Sequence, residues 1–132
     1  MKSCVSLGFL APEIELAIAQ TRENVRDRVA RFTGGMAMPS PAGKTAILTD
    51  DGLASEFTML AAIKNIRLHE PARIIVAVPT VSALSARMVS QLADHLVCLN
   101  IRSSHTFAVA DAYEQRDDLD DRQVLEELIG VP

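Results

Sequence analysis

The sequence predicts an α/β fold with a parallel sheet of about four strands flanked by helices. Two observations carry this. After residue 44, short apolar runs such as 73-RIIVAVP-79 alternate with segments of helical period. Strands apolar on both faces and separated by single helices imply a parallel sheet covered on both sides. The crossovers are then right-handed, and ligands bind beyond the carboxyl ends of the strands.

Taken in order, the first element is a helix over 12–33. Ile14, Ile18, Val25, Val29 and Phe32 fall near one face. Pro12 suits its first turn, and Gly34 and Gly35 end it. The other face carries Arg22, Glu23, Arg26, Asp27, Arg28 and Arg31. That face is either solvated and salt-bridged or a partly basic surface near an anionic ligand. Residues 34-GGMAMPSPAG-43 have no period and read as a loop.

The α/β core is expected over 44–129. It starts with a strand, 45-TAILT-49, and a helix over 56–68 with Met59, Ala62, Ile63 and Ile66 on one face. A second strand spans 73–79. A second core helix over 82–93 places Leu84, Met88 and Leu92 four apart, with Ser82 as N-cap. A third strand comes over 95–99, a fourth over 107-FAVAD-111, and a last helix over 121–129. Asp120, three residues before Gln123, comes close to a capping-box pattern. No repeat is visible, and 132 residues fit one domain, 1–132.

Composition narrows the function. Hydrophobic residues make up 48% and charged residues 23%, as in soluble globular proteins. The net charge of -4 argues against nucleic acid or acidic membranes as partners. It leaves room for an anion site built from backbone N–H groups. No apolar run approaches the ~18 residues of a membrane span, and Pro12 and Glu13 interrupt the short apolar start. The expected location is cytoplasmic. Cys4 and Cys98 have no disulfide or metal spacing, so both read as reduced thiols, Cys98 as a buried one.

Asp50 and Asp51 stand where a ligand should bind. One aspartate between a strand and a helix is explained as a helix cap. A second adds repulsion and needs its own partner. Carboxylates accept hydrogen bonds from hydroxyls and help hold hydrated divalent cations. The next residues, 52-GLASEFT-58, combine Gly52, small residues, and the Ser55 and Thr58 hydroxyls at a helix start, which suits a phosphate. Together they suit a sugar phosphate.

The run 46-AILTDDGLASEFTM-59 resembles the phosphoribosyl-diphosphate signature of type I phosphoribosyltransferases. That signature is an apolar strand, two acidic residues and a small-residue loop. Segments 61-AAIKNIRLHEPARIIVAVPTVS-82, 95-HLVCLNI-101 and 107-FAVADAYE-114 are similar to later segments of the family's core. The resemblance implies a truncated phosphoribosyltransferase-like core that binds phosphoribosyl diphosphate or a ribose 5-phosphate nucleotide. Asp50 and Asp51 would face the ribose hydroxyls. Gly52 and the backbone of Leu53, Ala54, Ser55, Glu56 and Phe57, with the Ser55 and Thr58 hydroxyls, would surround the 5-phosphate. Magnesium is implied as carried by the diphosphate.

Two departures from the pattern stand out. Ser55-Glu56 replaces the family's Thr-Gly, and Glu56 brings a β-carbon and a negative charge toward an expected dianion. The family's earlier strands and diphosphate loop have no recognisable counterpart before Lys44. The strand 45–49 is then an exposed apolar edge. A partner is expected there, either a second copy or a separate protein supplying the rest of the sheet, unless the 12–33 helix covers it. The alternative function is a catalytically inactive relative kept for binding or assembly.

Other signals are weaker. 43-GKT-45 looks like the end of a P-loop, but a strand follows Lys44 where that motif needs a helix. A phosphatase aspartate pair is two apart, and Gly52 occupies that place. His69, His95 and His105 lack ligand spacing. Residues 117-DDLDD-121 read as a solvated turn that caps the last helix, or as a weak cation site. Tyr113 either packs under that helix or stacks on a ligand base.

Overall fold

The computed structural model describes residues 11–104, 107–115 and 119–129. Cys4, His105, Asp117 and Asp118 lie outside them. The chain divides into two compact units, Ser40–Leu119, and Met1–Pro39 together with Asp120–Pro132.

In the latter unit, α1 spans Ala11–Thr33 and α4 spans Asp121–Ile129. Gly34 and Gly35, at φ 59° and 77°, end α1 in the left-handed region. Its apolar stripe is largely exposed, with Val25 at 55% and Val29 at 48%. Arg28 and Arg31 pair with Asp121, and Arg28 lies over the Phe32 ring. That part of the basic face is therefore salt-bridged. The capping box of α4 is complete. Gln123 N–H donates to Asp120 Oδ1, and Asp120 N–H donates to Gln123 Oε1, both at 2.8 Å. Replacing Asp120 by alanine should cost about 1 kcal/mol, read as an earlier loss of helix signal in a circular-dichroism melt.

The Ser40–Leu119 unit holds β1 (Thr45–Thr49), α2 (Phe57–Arg67), β2 (Arg73–Ser82), α3 (Ala83–Ser90) and β3 (His95–Arg102). The strands form one parallel sheet in the order β1-β2-β3. Thr45 pairs with Arg73 and Thr49 with Ala77, while Ile75 pairs with His95 and Ser82 with Arg102. The turn before β1 is tied to the end of α2 by Gly43 N–H donating to the Glu70 carbonyl. Lys44 thus enters a strand, as the argument against a P-loop required.

Right-handed crossovers that always step the same way along a sheet put their helices on the same face. Ile74, Val76 and Val78 on alternate positions of β2 pack with Met59 and Ile63 of α2 and Ala86 and Val89 of α3. Each large aliphatic side chain among them contributes roughly 1.5–3 kcal/mol through burial. The expectation of helices on both faces is corrected within this unit. The opposite face carries Ile47, 61% exposed, and Leu99, 89% exposed, with Ala77 half-buried between the edge strands.

Two further expectations change. The 82–93 helix stops at Ser90, and its buried face is Ser85, Ala86 and Val89, leaving Leu84 exposed at 65%. Small side chains let α3 approach the sheet, and the hydroxyl of Ser85 is held there by hydrogen bonds. Asp94 then draws the chain onto β2, where Ile74 N–H donates to its carboxylate at 2.7 Å. The fourth strand is absent among the described residues. Residues Val109–Ala112 form a 3-10 turn instead. Asp111 accepts from Ala108 N–H at 3.1 Å through its side chain and returns its own N–H to the Ala108 carbonyl. These local bonds outcompete a ladder that would need a neighbouring strand.

Candidate functional site

The segment from Asp50 to Thr58 leaves the carboxyl end of β1 and enters α2. Its middle is anchored to β2. Leu53 N–H donates to the Thr80 carbonyl at 3.0 Å, and Ser82 N–H donates to the Leu53 carbonyl at 2.9 Å. Leu53 is 2% exposed and belongs to the core. Both its side chain and its N–H are therefore engaged by the fold.

Gly52 is buried for a steric reason. A β-carbon there would stand 2.7 Å from Thr80 Cγ2 and 2.8 Å from Val109 Cγ1. The backbone is pressed against β2 and the 3-10 turn, and only glycine fits. Thr80 is itself 1% exposed, and its Oγ1 has no partner among the described residues.

The residues on either side of this anchor are exposed: Asp50 and Asp51 before it, Ala54, Ser55, Phe57 and Thr58 after it. Asp50 Oδ1 accepts from Asp51 N–H at 2.9 Å, which turns the first carboxylate along the chain. Tyr113 Oη donates to the Asp51 carbonyl. Among the described residues, the N–H groups of Ala54, Ser55, Glu56 and Phe57 meet no acceptor. They stand at the N-terminal end of α2, where the helix dipole favours an anion.

Glu56 is half-buried at the N-cap position of α2 and makes no capping bond with its side chain. Its carboxylate turns toward α3 and accepts from Ser85 Oγ at 3.2 Å. Ser85 is fully buried, and its N–H is capped by Ser82 Oγ at 3.1 Å. The N-cap assigned to Ser82 is thus present. Glu56 is held by a neighbouring helix rather than released to solvent.

The structure brings the nine predicted site residues into one turn with unequal roles. Gly52 and Leu53 build it, Glu56 is tied to Ser85, and the other six are exposed. Ser85 and Tyr113 also belong to this surrounding. Ser85 lacks any spacing signal, because it meets Glu56 across a whole strand. Cys98 is a free, half-buried thiol. Among the described residues there is no group of three or more His, Cys, Asp or Glu able to hold a metal ion, and no helix long and apolar enough to cross a membrane.

No protein-family model matches the chain. Among solved structures it is similar to TT1426 from Thermus thermophilus, with a TM-score of 0.77 and 26% identity over 93% of this chain and 59% of that one. The chain thus spans 59% of that protein's length.

Proposed function

We propose that this is a phosphoribosyltransferase-like protein whose 50–58 turn binds phosphoribosyl diphosphate or a ribose 5-phosphate nucleotide in the cytoplasm. One observation supports this above the others. Two exposed carboxylates, Asp50 and Asp51, stand beside four N–H groups that meet no acceptor among the described residues at the start of α2. The carboxylates suit vicinal hydroxyls and the N–H groups suit a phosphate. Magnesium fits the donor set only as an ion carried by the diphosphate. It keeps several waters and takes its other ligands largely from substrate phosphates, which leaves Asp50 and Asp51 to the ribose hydroxyls. When bound, it would neutralise the departing diphosphate. The chain's own residues would position the sugar and hold its 5-phosphate.

A catalytically inactive relative is the second reading, favoured by the Glu56 carboxylate within the turn. A titration calorimetry experiment with phosphoribosyl diphosphate and magnesium separates binding from none. Micromolar binding that falls by a factor of about 100 or more in Asp50→Asn/Asp51→Asn is the expected result, as for lost hydrogen bonds to two charged groups. No heat up to millimolar ligand would rule out the sugar-phosphate site.

The partner in this reading is a second copy covering the apolar face that carries Ile47, Val97 and Leu99. Contiguous exposed apolar surface of this kind marks an interface. Sedimentation should give a dimer that Leu99→Lys converts to monomer. A monomer in both would remove the partner from the proposal.

A further inference from the structure

A second cleft opens at the carboxyl edge of the sheet, beside the 50–58 turn but built largely from other residues. It encloses about 380 Å³ between the end of β3 and the start of α3. Ser82 and Arg102, paired across the last register of β2 and β3, both line it. Arg87 reaches it from α3, one turn after Ala83, and Ser103 and Phe107 line the β3 side.

The chemistry of this lining is one-sided. Its polar side chains are arginines and serines, all able to donate hydrogen bonds, and no carboxylate lines it among the described residues. Among the described residues neither arginine forms an ion pair. The Arg102 guanidinium is already oriented. Its Nη2 donates to the Asp111 carbonyl at 3.2 Å, and its carbon lies 6.0 Å from the Phe107 ring centroid. Its Nε is buried and has no partner among the described residues. A buried charged donor left unmatched is costly, and a held guanidinium presents its remaining donors in a planar fork suited to an oxyanion. Ala83 and Leu84 add the first two N–H groups of α3, which have no acceptor within the helix. Two carboxylates of this region are engaged elsewhere and do not line the cleft: Glu56 accepts from Ser85 Oγ, and Asp111 accepts from Ala108 N–H.

We infer that this cleft is an oxyanion subsite that takes the carboxylate or phosphate group of a small molecule between Arg87, Arg102 and the start of α3. It stands on its own residues and does not require that the 50–58 turn hold a sugar. If both sites act on one ligand, that ligand carries an anionic group at each end.

The test is an NMR titration of the full chain with inorganic phosphate and, separately, with succinate, each at ionic strength matched by sodium chloride. Saturable shifts of the Ala83 and Leu84 amides and of the Arg102 Nε–H resonance are expected with at least one anion. Whichever anion saturates at lower concentration identifies the source of the oxyanion. Arg87→Gln, at an exposed position that the core does not need, should weaken that binding roughly tenfold, as for one charge-assisted hydrogen bond. Arg102→Gln should weaken it at least as much. Shifts confined to residues 55–57 would overturn the subsite while leaving the sugar-phosphate reading standing. Shifts that chloride reproduces, or that Arg87→Gln leaves unchanged, would also overturn it.

Discussion

Gly52→Val should destabilise the Ser40–Leu119 unit by about 3 kcal/mol or more and abolish any ligand affinity of the 50–58 turn. Overpacking a filled core costs typically 1–3 kcal/mol and sometimes more. Here the added atoms meet Thr80 and Val109 at distances no real β-carbon adopts. Thr80 is 1% exposed, so its methyl has no open space to turn into, and its backbone is fixed in the central strand, where its carbonyl holds Leu53. The turn must lift instead, breaking the bond from Leu53 N–H and withdrawing the Leu53 side chain from the core. Gly52→Ala should have the same sign with a smaller cost. Urea denaturation gives the stability and calorimetry the affinity. Unchanged stability in the valine variant would mean that the turn is not pressed against β2.

Glu56→Gln is expected to act in the opposite direction, tightening ribose 5-phosphate binding by about tenfold or more. Like charges ~5 Å apart repel by roughly 3 kcal/mol at an effective dielectric near 20, and partial exposure lowers that figure. About 1.4 kcal/mol remains sufficient for a factor of ten. Glutamine keeps an acceptor for Ser85 Oγ, so the link to α3 is kept while the charge is removed. Glu56→Gly removes the β-carbon as well and introduces the glycine that the phosphoribosyltransferase pattern, which the turn resembles, carries there. A gain with both substitutions would assign the defect to charge. A gain with glycine alone would assign it to backbone freedom, and no gain with either would mean that Glu56 does not oppose the ligand.

The two substitutions touch different parts of the site, and the sequence revealed those parts unequally. Asp50 and Asp51 were legible because β1 ends where its apolar run ends, at Thr49. Glycine after them read as a tight turn, but its cause is Thr80, nearly thirty residues later in the chain. Glu56 read as a charge in the wrong place. Its engagement by Ser85 required β2 and α3 to be placed first. Arg87 and Arg102 gave no sequence signal, since fifteen positions separate them and only the β2–β3 register brings Arg102 beside the start of α3.

Local chemistry written into the chain settled β1, the inward face of α2, the Ser82 cap of α3 and the Asp120–Gln123 box of α4. Each depends on residues within a few positions of one another, where period and hydrogen-bonding capacity act directly. Folding in three dimensions settled which face of α3 is buried, that 107–111 is not a strand, and that both core helices cover the same side of the sheet. Those outcomes depend on the direction of successive crossovers and on contacts between distant segments. Apolar alternation reports that a side chain seeks cover, but not which neighbour supplies it.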